Sequence, residues 1–170
     1  PDLREQSQDV VASSLVLFFL PDPLAALRAW RRLLVGGGRV GVSTFGSYSR
    51  RWAERVDAVI VAHGTRALGD TRTTGTQGPF ASDQAMEALL SRAGFVQVRT
   101  APSTVAVRFQ DADHWYRWSR SVGQRQFWDA LAEQDRDAVR EELLAAVQQC
   151  RETDGRIGFD QQIRYTLGVR

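Results

Sequence analysis

The chain has 170 residues, 43% of them hydrophobic and 25% charged, which suits one ordinary globular domain with enough apolar mass for a core. All 22 basic side chains are arginine, scattered among 20 carboxylates for a net charge of +2, and the lack of a basic cluster argues against nucleic-acid binding. The single Cys150 excludes an internal disulfide and fits a reducing cytoplasm, and the longest apolar run, 15–21, is too short for the roughly 20 residues that cross a membrane.

In chain order, Asp9-Val10-Val11-Ala12-Ser13-Ser14 is a β-branched run suited to a buried parallel strand. Asp22 can cap the helix that follows, with Pro23 in its first turn, where a missing N–H costs nothing. Leu24, Leu27, Trp30 and Leu34 keep helical spacing until Gly36-Gly37-Gly38, which is expected to stop the helix. Residues 39–44 form a second strand, so the segment reads as one βαβ crossover.

A helix is expected over 49–63, with Trp52, Val56, Val59 and Ile60 on one face. A polar loop over 64–78 is long enough to be mobile or functional. Ser82 and Asp83 cap a helix that runs over 84–93 and ends at Gly94. A strand over 95–99 is extended or repeated by 105–109. Two helices are expected over 111–131 and 135–151, and the chain closes on an alternating strand at 162–167.

The run from Asp9 to Pro23 resembles the fourth-strand motif of class I, S-adenosylmethionine-dependent methyltransferases of the UbiE-like, type 11 group. Arg31-Arg32-Leu33-Leu34-Val35-Gly36-Gly37-Gly38-Arg39-Val40 is similar to that family's helix-to-strand turn, with Gly36 where proline is usual. Ala93-Gly94-Phe95 resembles the entry to the sixth strand, and the closing strand resembles the reversed seventh. The resemblance implies an α/β, Rossmann-like sheet holding strands four to seven, with strand seven antiparallel and a helical insertion over 110–157 between strands six and seven. Residues 1–170 would then be the C-terminal part of one methyltransferase domain. Strands one to three and the glycine-rich cofactor loop are expected before Pro1, and the chain by itself is expected to bind the cofactor poorly.

Ligands of open α/β sheets lie at the carboxyl ends of the strands. By resemblance, Ser13, Ser14 and Leu15 would line S-adenosylmethionine. Phe18 and Phe19 would form an apolar acceptor wall, or else serve the core, and Phe45 would face the acceptor from the second strand. In the insertion, the stripe of Trp115, Trp118 and Ser119 or Val122 reads first as core. The resemblance also makes this segment an acceptor lid, with Trp115 and Trp118 on the substrate and His114 and Tyr116 as candidate bases. No spacing suits a metal, a nucleophile elbow or a phosphate loop.

The function so implied is methyl transfer to a small, hydrophobic or aromatic acceptor, without nucleic-acid or membrane partners. The alternative is a non-catalytic methyltransferase-like subunit. In either case the open edge of strand four would be covered by a second copy or by an N-terminal half. A nicotinamide dehydrogenase fits less well, because of the reversed terminal strand.

Overall fold

The β-branched stretch forms strand β1 (Gln8–Ser14) in this computed structural model, which describes residues 3–64, 77–121 and 124–170. Helix α1 (Pro23–Leu33) follows and leads into strand β2 (Leu34–Tyr48). Asp22 caps α1 as its place before Pro23 predicts, its Oδ1 accepting the Ala25 amide at 2.9 Å. β1 and β2 pair in parallel, Val10 opposite Arg39 and Ser14 opposite Ser43, so α1 is the crossover.

The three glycines do not stop α1. The helix ends at Leu33 and the chain is already extended at Leu34, where β2 begins. Between the pairs Gln8–Leu34 and Val10–Arg39, Asp9 alone faces four residues of β2, so the glycines form a bulge. Glycine is needed there for two reasons. Gly37 has φ +77°, and a Cβ on Gly38 would meet the Val35 and Asp9 carbonyl oxygens at 3.0 and 3.2 Å.

Arg50–Trp52, the π turn Ala53–Asp57 and Ala58–His63 run on as α2. Helix α3 (Asp83–Arg92) is capped by Ser82, whose hydroxyl accepts the Ala85 amide at 3.1 Å. Strand β3 (Val96–Phe109) is continuous and joins the two expected stretches. The helix expected over 111–131 is instead two, α4 (Ala112–Ser119) and α5 (Arg125–Ala130). Ser119 and Ser121 donate back to the Tyr116 and Trp118 carbonyls, each at 2.8 Å, and so compete for acceptors a longer helix would use. Helix α6 (Arg136–Gln148) and strand β4 (Ile157–Val169) complete the chain. Val122 and residues 65–76 of the expected polar loop lie outside the described residues.

The sheet order is β1-β2-β4-β3. Gly41 lies against Leu167 and Gly46 against Gln162, so β4 runs antiparallel to β2. Phe95, just before β3, touches Gly168, while the Arg108 Nη1 donates to the Phe159 carbonyl, so β3 is antiparallel to β4 as well. This order, with the last strand reversed, is the one the resemblance implies for strands four, five, seven and six.

The chain divides into two compact units. One comprises Pro1–Ser47, Thr71–Thr104 and Gln162–Arg170, the other Tyr48–Asp70 and Val105–Gln161. Each has its own core. Leu17, Leu27, Val40, Val42, Met86 and Leu90 anchor the first. Trp52, Val56, Trp115, Leu143, Val147 and Ile157 anchor the second, to which α2 contributes along with the expected insertion. None of the described helices is long and apolar enough to cross a membrane.

Candidate functional site

In the first unit the carboxyl ends of the parallel pair β1 and β2 gather most of the expected site. Ser14 and Ser43 stand opposite each other, and the Ser43 hydroxyl donates to Ser14 Oγ at 3.1 Å. Leu15 follows in the left-handed region at φ +53°, its amide held by both the carbonyl and the hydroxyl of Ser43, each at 3.1 Å. Ser13 Oγ and, just past Ser43 on β2, Thr44 Oγ1 are buried hydroxyls with no hydrogen-bond partner among the described residues. Such atoms carry a desolvation cost that nothing among the described residues repays.

Beside them is an aromatic cluster. The Phe18 ring centroid lies 4.7 Å from that of Phe19, 5.4 Å from Phe45 and 6.2 Å edge-on from Phe80. Phe18 is buried, whereas Phe19 is 58% exposed. Phe80 was not anticipated. It follows the polar loop in sequence, far from any strand, and only tertiary folding brings it to Phe18.

Arg164 of β4, also unanticipated, holds this edge together. Its Nε donates to Asp83 Oδ1 at 2.6 Å, and Nη1 donates to the carbonyls of Phe45 and Phe80 at 2.7 and 2.8 Å. One buried guanidinium thus fixes both outer aromatics and the first turn of α3. Alternation marks the strand but not which phase faces in; in the structure Thr166, in phase with Arg164, is fully buried and hydrogen-bonded to Thr100.

The other four candidates belong to the second unit. Trp115 is 0% exposed, packed by Trp52 and Trp128 with centroids at 6.3 and 6.5 Å, which is the core role read first for it. Trp118 is half-buried against Phe109 at 5.2 Å. His114 accepts the Gln110 amide on Nδ1 at 3.2 Å, while its own amide donates to the capping Asp111. The Tyr116 ring lies under the Arg140 guanidinium at 4.9 Å, and its hydroxyl accepts from Arg120 at 3.3 Å.

Among the described residues, Arg108 and Cys150 have displaced ionisation. The hydrogen bond to Asp160 raises the Arg108 pKa against the opposing pull of burial, with Glu152 adding to it. Burial pushes the Cys150 thiol up, with Arg51 and Arg55 pulling it back. Among the described residues no cluster of His, Cys, Asp or Glu is placed to hold a metal.

Residues 1–42 match a methyltransferase-domain family model. Over 153 residues the chain is 33% identical to a nocamycin O-methyltransferase of Saccharothrix syringae, an alignment that covers 85% of this chain and 55% of that protein. The chain therefore spans about half the length of the curated relative it matches. Among solved structures, the YcgJ protein of Bacillus subtilis is 14% identical at a TM-score of 0.49, covering 100% of this chain and 67% of that one. Phosphoethanolamine N-methyltransferase 2 of Haemonchus contortus, solved with S-adenosyl-L-methionine, is 13% identical at a TM-score of 0.46, covering 99% of this chain and 34% of that one.

Proposed function

We propose that the chain, matched over residues 1–42 by a methyltransferase-domain model and 33% identical over 153 residues to an O-methyltransferase, serves S-adenosylmethionine-dependent methyl transfer to a small, hydrophobic or aromatic acceptor. One observation carries the reading. A strand end carrying the hydroxyls of Ser13, Ser14 and Thr44, with the turn at Leu15, meets an aromatic cluster (Phe18, Phe45 and Phe80) at the carboxyl edge of a parallel strand pair, where open α/β sheets bind ligands.

The residues fit such a cofactor in kind. The unpartnered hydroxyls of Ser13 and Thr44 are suited to the polar edge of a bound nucleoside, and the Leu15 side chain offers apolar surface beside them. Ser13, Ser14 and Leu15 would hold the cofactor, which when bound supplies an electrophilic methyl group on a sulfonium. Phe18, Phe45 and Phe80 exclude water and hold an apolar acceptor by ring faces and edges. Asp83, the carboxylate beside this cluster, is engaged by Arg164 and is not offered as a base. This inventory suits an acceptor that needs alignment more than early deprotonation. The O-methyltransferase relative makes a hydroxyl on a hydrophobic small molecule the first acceptor to try. Within the second unit taken by itself, Trp115 serves the core, and half-buried Tyr116 and Trp118, with His114 the weaker candidate, are the side chains that unit could offer to a ligand. The buried Cys150 supports a cytoplasmic setting.

Calorimetric titration of the full-length protein with S-adenosylmethionine tests the reading. Binding is expected, and Ser14→Phe should weaken it at least about tenfold by crowding the adenosyl group. Unchanged affinity in that variant removes Ser14 from the site. The second reading, a non-catalytic methyltransferase-like subunit, draws support from the open β1 edge, where Val10 is 61% exposed. Such a protein gives no heat in the same titration.

A further inference from the structure

We infer that Ser43 is a positioning residue for the cofactor: from β2 it holds the turn at Leu15 on which the cofactor would rest, an inference built on the function proposed above. Leu15 has φ +53°, a conformation in which the Cβ of an L residue crowds its own backbone and which glycine or asparagine adopts far more readily. A leucine persists there only where its surroundings over-determine the turn.

Those surroundings converge on one residue. The Leu15 amide is shared between the Ser43 carbonyl and the Ser43 hydroxyl, each at 3.1 Å. The same hydroxyl spends its proton on Ser14 Oγ, also at 3.1 Å. Ser43 is 5% exposed and stands opposite Ser14 in the parallel register, so its side chain reaches both residues without leaving the strand. A hydroxyl is the group this geometry needs, because it accepts from one neighbour and donates to the other at once.

The turn has consequences on both sides. Before it, the direction of the Ser14 hydroxyl is set by the Ser43 bond. After it, the chain enters the 3-10 turn Leu17–Phe19, which delivers Phe18 to Phe45 and Phe80. The Leu15 side chain packs on the first core, which accounts for a leucine where glycine would be less strained. Ser43 thus acts through Leu15 and Ser14, and its removal should loosen the strand end without taking away a surface that touches ligand.

The probe is S-adenosylhomocysteine, titrated calorimetrically into the full-length protein alongside thermal unfolding of each variant. Ser43→Ala should bind about three- to tenfold more weakly, the size expected for one or two lost hydrogen bonds. Ser43→Thr, which keeps the hydroxyl, should bind as the wild type does. In a Leu15→Gly background, where the left-handed conformation needs no support, Ser43→Ala should cost markedly less, a coupling that general destabilisation would not produce. Wild-type binding together with an unaltered Ser43→Ala affinity overturns the positioning role alone. An equal cost in both backgrounds also overturns it, since the effect then does not pass through Leu15. If the wild type itself gives no heat, the cofactor reading falls and the positioning role falls with it.

Discussion

Arg164 spends its guanidinium on one carboxylate and three carbonyls, those of Phe45, Phe80 and Ala81. A lysine carries the charge but not the planar fork, so Arg164→Lys should lose about 2 kcal/mol of stability while leaving carbonyls unpaired. Asp83→Asn should lose less, about 1 kcal/mol, because Asp83 is partly exposed and its partner keeps the carbonyl bonds. Urea unfolding of the two variants checks the order, and an Asp83→Asn loss equal to that of Arg164→Lys contradicts it. Cys150 gives a second test at this scale. Burial raises its pKa above the ordinary 9.0, so the folded protein keeps the neutral thiol at pH 8. A thiol reagent should label it far more slowly in native protein than in urea, and equal rates would mean the site opens freely. By linkage, the stability this thiol contributes is full below its unfolded pKa. It is lost as pH rises through the raised folded value, so the urea midpoint should fall on the alkaline side of about pH 9.

At the scale of elements, the caps at Asp22 and Ser82 and the four strands were legible because each follows from local spacing. What was not legible is decided between elements. The glycine run is a bulge and not a helix stop, because Asp9 of β1 must face four residues of β2, and that mismatch is written in neither segment alone. Likewise, alternation in β4 showed that there is a strand but not which phase faces in. Thr166 is buried while Tyr165 and Leu167 are 45% and 40% exposed, because Thr100 and Asp83 satisfy the polar phase. Ser43, Phe80 and Arg164 escaped the sequence reading for the same reason. In α4 the structure separates residues that the aromatic stripe ran together. Trp115→Ala should cost about 3–5 kcal/mol as a core truncation, and half-buried Trp118→Ala about half of that. If Trp118 contacts the acceptor, its alanine variant should also lose turnover beyond what its folded fraction explains. Full activity per folded molecule in Trp118→Ala would return that residue to packing alone.

At the scale of the whole molecule, β1 lies at one end of the order β1-β2-β4-β3, and its outer backbone groups have no strand beside them among the described residues. An edge of this kind invites pairing with another chain unless it is short, bulged or charged. The bulge opposite Asp9 lies on the β2 side, and Val10, apolar and 61% exposed, leaves the middle of the edge without a charge. The 170-residue chain, expressed as such, should therefore self-associate in a concentration-dependent way. Val10→Glu is the informative change, since Val10 stands opposite Arg39 in the parallel register. The new carboxylate gains a cross-strand partner worth about 0.2–1 kcal/mol, which offsets the lower strand propensity of glutamate, so folding should be retained. The same charge makes docking of a second strand unfavourable, because pairing would bury it or bring two copies of it together. Light scattering across a concentration series should then show larger species for the parent chain and smaller ones for Val10→Glu, with circular dichroism unchanged. If Val10→Glu associates as strongly as its parent while remaining folded, the β1 edge is not the surface through which the chain meets its partner.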